Sequence, residues 1–263
     1  MQKRNNIPYF IGIFLIVLIT ILITARFSVI KVGNDNVDSP KSSEKISEKN
    51  KIRTPEITNT ENEYGKNFKE EYESINGKEN KNGKIHREII IPENNPFIKS
   101  TGEEIVDKIN NKESFYVYFG DSLCPWCRSV IEVATDEAKR AGIKTIYYVD
   151  IWDEEGNEIF RNKIELNGDN AETVIEGTNS YNTLLKEFED KLEDYKIKKE
   201  DGTEIVVGKR IFAPNFVRVI DGKADDIIDG ISEKQEDSRE TLTAEIIQDE
   251  QKTFRKFFSE GNK

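Results

Sequence analysis

Cysteine and histidine are almost missing from this chain: its 263 residues include two of the first and one of the second. A structural zinc site takes four N, S or O ligands, usually two cysteine pairs or one pair with two histidines. The single histidine, His86, lies far upstream of both cysteines in a polar stretch, so only a carboxylate-completed site is left to a metal. No metal and no other cofactor is expected. Positive charge is also scarce: 39 Lys and Arg stand against 50 Asp and Glu, a net charge of −11. That balance argues against nucleic acid or an anionic membrane surface as partner. Hydrophobic residues reach 36% and charged residues 34%. The polarity is uneven, and the places where it lets up mark where a domain can form.

Long apolar runs are absent with one exception. Ile7 to Ala25 carries no charge, and a helix needs roughly 20 apolar residues to cross a bilayer core. Residues 7–25 therefore read as a transmembrane anchor behind a cytoplasmic tail, residues 1–6. A cleaved signal peptide is the alternative, although Ile23, two places before Ala25, makes a poor cleavage site. Lys3 and Arg4 are nearly matched by Arg26 and Lys31, which leaves a mild preference for a body outside the cytoplasm. Residues 26–86 read as a flexible polar linker, with a short helix suggested only by Phe68 to Ile75. Their Asn, Ser, Glu and Lys cannot bury enough surface to offset chain entropy. The localisation that follows is single-pass at the cell membrane, with an extracytoplasmic C-terminal domain.

Both cysteines fall in one tetrapeptide, Cys124-Pro125-Trp126-Cys127, shortly after Phe115-Tyr116-Val117-Tyr118-Phe119. A bridge across so short a ring restrains little of the unfolded chain. The pair makes sense as a bond that opens and closes. A compartment that sustains disulfides suits a protein with one such pair and no stray thiol.

Order is expected from residue 87 to 260. Glu88 to Ile91 suggests a short strand closed by Pro92, and Thr101-Gly102-Glu103-Glu104 a capped helix start. Ser114 to Phe119 is aromatic and β-branched, as in a central strand. Val130, Ile131, Ala134, Ala138 and Ala141 recur at helical spacing, which puts Cys127 in the first turn of a helix ending near Gly142. Lys144 to Val149 is the next strand. This β-α-β-α-β order favours parallel strands with helices on both faces. Residues 153–194 interrupt it as a helical insertion, with Tyr181, Leu184, Leu185, Phe188 and Leu192 on one helix face. Glu204 to Val207 reads as a strand. Phe216 to Ile220, the Asp221-Gly222 turn and Ala224 to Ile231 read as an antiparallel hairpin. A closing helix carries Ile246, Phe254, Phe257 and Phe258.

These pieces resemble the thioredoxin-like fold, an α/β architecture with a central mixed sheet flanked by helices. The resemblance is carried by the strand Phe115 to Phe119, by Cys124-Pro125-Trp126-Cys127 at a helix start, and by Ala213-Pro214 before strand Phe216 to Ile220. The layout also resembles membrane-tethered thioredoxin-like proteins of Gram-positive bacteria, including bacteriocin transport accessory proteins. The resemblance implies a cis Pro214 lying against the cysteine pair, and backbone of Ala213 and Pro214 pairing with an extended substrate segment. It implies that Pro125 and Trp126 shape the partner groove. One departure stands out: Tyr118 holds the place where thioredoxins carry a buried Asp. Asp121 is a potential substitute but reads more simply as a solvated loop or cap residue.

The chemistry expected is thiol–disulfide exchange with extracytoplasmic proteins. Cys124, exposed at a helix N-terminus that favours the thiolate, attacks a partner disulfide. Cys127 resolves the mixed disulfide. A membrane or secreted electron donor or acceptor is implied, and the direction is left open by the sequence. Two rivals stay in view: a non-catalytic accessory or binding module of an export system, and a thiol peroxidase.

Overall fold

A computed structural model describes residues 59–261, apart from 154, 155 and 169. Residues 1–6, 7–25 and 26–58, where a tail, a transmembrane anchor and a linker are expected, lie outside the described residues. Among the described residues no helix is long and apolar enough to cross a membrane.

The chain is an α/β protein built on a five-stranded mixed sheet. Its strands are β1 (Phe97–Ser100), β2 (Phe115–Gly120), β3 (Ile146–Asp150), β8 (Asn215–Ile220) and β9 (Lys223–Ile228), in the order β1-β3-β2-β8-β9. β1, β3 and β2 run parallel, and β8 and β9 are antiparallel. Side chains alternate across a strand, and β2 uses both faces. Tyr116 and Tyr118 enter one core; Phe115, Val117 and Phe119 enter the other. Helices α1 (Asn59–Glu73), α3 (Pro125–Arg140) and α5 (Ala244–Glu260) cover the first face. Helices α2 (Gly102–Asn110) and α4 (Asn179–Glu187) cover the second.

Several elements follow from local chemistry. The capping box at Thr101 closes on Glu104 and starts α2. Thr243 caps α5 by accepting from the Ile246 amide. Asp221 and Gly222 both take positive φ, 51° and 72°, as a two-residue turn matched to strand twist requires.

The structure departs from the sequence reading in three places. First, the folded body starts well before residue 87. Phe68 and Tyr72, four apart on α1, are buried in the first core, and Phe68 stacks on Phe97 at 4.4 Å. Two apolar residues on an otherwise polar helix suffice because they enter an aromatic cluster already present on the sheet. Second, Glu88 to Ile91 is not a strand. The amides of Ile89 and Ile91 donate to the side chains of Asn76 and Glu73, which ties this segment to α1 and its C-terminal extension. The edge strand is β1 instead. Third, the insertion is only partly helical. It holds an antiparallel hairpin, β4 (Lys163–Asn167) with β5 (Asn170–Ile175), ahead of α4, and β6 (Asp194–Lys198) then pairs with β7 (Glu204–Lys209).

Candidate functional site

Sheet register brings the site together. Gly120 at the end of β2 pairs with Asp150, and Phe119 pairs with Asn215 at the start of antiparallel β8. The loops leaving β2 and β3 and the loop entering β8 therefore meet at one edge. The first leads to Cys124 and the last ends in Ala213–Pro214.

Cys124 is the N-cap of α3. Its sulfur accepts the Cys127 amide at 3.3 Å, and Pro125 occupies the first helical position, where no amide hydrogen is needed. Cys127 is one turn along, in the first core. Both cysteines are free thiols. The Ala213 carbonyl is 3.5 Å from the Cys124 sulfur, and the Ala213–Pro214 peptide is cis. Asn215 steadies this loop by accepting the Phe212 amide at 2.6 Å. Cys124, Cys127, Ala213 and Pro214 are thus gathered at one point. Trp126 is half-buried against the first core. Leu123, Pro125 and Trp152 line an adjoining cavity of about 430 Å³, whose other wall includes Ile75, Lys78 and His86 from the segment after α1.

One expectation is corrected here. Cys124 is not an exposed side chain; it retains 5% of its surface. Its sulfur turns inward, toward the α3 amides and the Ala213 carbonyl. Cys127 has no exposed surface.

The two sulfurs have opposite proton preferences. The Cys124 thiol is pulled below its ordinary value by the hydrogen bond it accepts from Cys127, and further by the Cys127 and Trp126 amides and by Arg161, against the cost of burial. Burial raises the Cys127 thiol well above its ordinary value, and donation to Cys124 raises it further. The Tyr118 hydroxyl, buried in the same core, acts the other way and favours the Cys127 thiolate. Of the two thiols, Cys124 is therefore the more acidic, and Cys127 holds its proton more tightly.

Asp121 is also corrected: it is buried, not solvated. Its carboxyl accepts the Leu123 amide, which shapes the loop into the motif. Burial, with a hydrogen bond to Asp150 and its charge, pushes the Asp121 carboxyl up to about 8. Asp150 meets Lys99 at 3.3 Å, and Lys99 reaches the surface.

Two features escaped sequence reasoning. Arg128, 1% exposed, donates to the carbonyls of Tyr72, Ser122 and Arg87 and to the side chain of Asn76. It clamps the end of α1 to the cysteine helix. Tyr72, from the presumed linker, bonds Tyr118 hydroxyl to hydroxyl at 2.8 Å. A hydrophobic pair four apart in a charged stretch, Phe68 and Tyr72, was the only available signal.

The chain matches no protein-family model and no curated protein sequence.

Proposed function

We propose that this protein is a thiol–disulfide oxidoreductase of thioredoxin-like architecture, tethered to the membrane by residues 7–25 and acting on extracytoplasmic proteins. The observation that carries the reading is the pairing of two free thiols in one helical turn with opposite proton preferences. Exchange needs one sulfur ready as a thiolate and a second held back until the first is occupied.

In the reducing direction, the Cys124 thiolate attacks one sulfur of a partner disulfide. The Cys124–partner bond forms as the partner's own S–S bond breaks, and the released partner sulfur takes a proton. Cys127 then loses its proton and attacks the Cys124 sulfur. The Cys124–Cys127 disulfide forms and the partner leaves as a dithiol, two electrons richer. A membrane or secreted dithiol restores the pair, and oxidation of a partner runs the same steps backwards. The low exposure of Cys124 does not forbid this. Sulfur approaches sulfur along one line, and 5% of the Cys124 surface stays open. Backbone of Ala213 and Pro214 offers pairing to an extended segment there.

The test is capture in cells. With Cys127→Ser in the full chain, partners accumulate on Cys124 as adducts released by reductant. No adduct in cells, together with no reduction or oxidation of a test disulfide by the purified protein, sinks the reading. Burial of Cys124 and the exposed hairpins that flank α4 in the chain favour a second reading, a non-catalytic accessory module. Under it, replacing both cysteines by alanine leaves cellular function intact.

A further inference from the structure

Resolving the mixed disulfide requires a thiolate at Cys127, in the most enclosed position of the site. We propose that the Tyr118 hydroxyl, oriented by Tyr72 from α1, is the donor that stabilises this thiolate, so that helix α1 is a working part of the redox centre. The proposal rests on the oxidoreductase reading and extends it to residues outside the cysteine motif.

The hydroxyls form a chain. Tyr118 and Cys127 are buried in the same core, where the Tyr118 hydroxyl favours the Cys127 thiolate against burial, and the Tyr118 oxygen lies 2.8 Å from that of Tyr72. Each phenol has one proton to donate, and a thiolate only accepts. If Tyr118 donates to sulfur, its own oxygen accepts, and Tyr72 supplies that bond. The order Tyr72 to Tyr118 to Cys127 uses each proton once, and hydrogen bonds in series strengthen one another. Burial holds both phenols well above their ordinary values, so they act as donors and not as bases.

Three packing features hold the chain in place. Tyr118 leans along β2 over Gly120, where any Cβ would run into its hydroxyl. Its ring stacks between those of Phe216 and Tyr148 at 4.5 and 5.5 Å. The Tyr72 carbonyl accepts from buried Arg128 at 2.8 Å, which fixes the last turn of α1 against the cysteine helix.

The chemistry balances without a further reactant. Cys127 releases its proton and attacks the Cys124 sulfur. The Cys124–Cys127 bond forms as the Cys124–partner bond breaks. The departing partner sulfur takes up the proton through solvent, and Tyr118 keeps its own.

An aromatic disulfide reagent that releases a coloured thiol separates the two steps on the reduced full chain. Attack by Cys124 releases the first equivalent, and resolution by Cys127 releases the second. In Tyr118→Phe the first phase is expected within about twofold of wild type. The second is expected to slow about tenfold or more near neutral pH, the usual cost of losing a hydrogen bond to a charged group. Its pH profile is expected to move up by about one unit. Tyr72→Phe moves the same phase in the same direction by less, about threefold. Since Tyr72 lies outside the sheet, this variant decides the matter if Tyr118→Phe folds poorly. A second phase unchanged in rate and pH profile in both variants overturns the proposal, as does equal slowing of both phases. A wild-type protein with no second phase overturns the oxidoreductase reading itself.

Discussion

Replacing Glu250 with glutamine should stabilise the protein at high pH and not at low pH. Glu250 sits on α5 with no exposed surface and no hydrogen-bond partner for either carboxylate oxygen. Burial pushes its carboxyl up to about 8 from an ordinary 4.5, with Arg87 opposing and Asp249 adding to the shift. The folded-state value is above the unfolded one, so the native state binds the extra proton. Stability from the neutral group is fully present below pH 4.5 and is lost as pH rises through 8. Each unit corresponds to about 1.4 kcal/mol, so the full shift is worth at most about 5 kcal/mol. Relaxation and water around a real buried charge cut this to about 2–3 kcal/mol. Glu250→Gln keeps the shape and removes the titration. Urea unfolding of both proteins from pH 4 to 9 should show a midpoint difference that grows by about 1 M across that window, given a slope near 2 kcal/mol/M. Other titrating groups, Asp121 included, cancel in the difference. A midpoint difference that stays constant with pH, or grows toward acid, refutes the reasoning.

Two further predictions concern the boundary of the fold and the roles of the sulfurs. Phe68→Ala should cost about 3 kcal/mol, since it empties a site stacked on Phe97; in thermal unfolding that is a loss of roughly 6–12 °C. An unchanged melting temperature would return α1 to the linker. Iodoacetamide on the reduced protein should label Cys124 and spare Cys127, as seen by peptide mass spectrometry. Cys127→Ala should move the Cys124 labelling midpoint to higher pH, because the strongest cause of its low value is the Cys127 donor. Labelling of Cys127 first, or an unmoved midpoint, would contradict the assignment.

Much of the sheet was legible because its signals are local. β2 is an aromatic and β-branched run, α2 carries a capping box, and the β8–β9 turn carries Asp221-Gly222. The cysteine motif was legible because spacing alone puts Cys124 at the cap and Cys127 one turn on. What stayed hidden depends on distant partners. α1 reads as linker because its stability comes from packing Phe68 and Tyr72 on rings far along the chain, not from its own composition. The Ile89 to Ile91 segment has strand composition, yet its amides go to the side chains of Asn76, Glu132 and Glu73. In the hairpin β4–β5, β5 is exposed on both faces and lacks the alternation that marks a half-buried strand, and β4 alternates over only five residues. Asp121 reads as a loop acid because nothing nearby in sequence reveals that Asp150 will share its pocket.

The site itself follows from one pairing. β8 runs antiparallel to β2, so its start lies beside the end of β2, with Asn215 opposite Phe119. Had β8 run parallel, Ala213–Pro214 would sit at the far edge of the sheet, six residues of β8 away from the cysteines. A slip of one residue would turn Phe216 and Tyr118 to opposite faces and separate rings that now stack at 4.5 Å. The register that packs the first core therefore also sets the Ala213 carbonyl against the Cys124 sulfur and keeps Tyr118 in the core that holds Cys127. Core and site are fixed by the same contacts. Substitutions that loosen Tyr118, Phe216 or Tyr72 should accordingly disturb the cysteines before they unfold the protein.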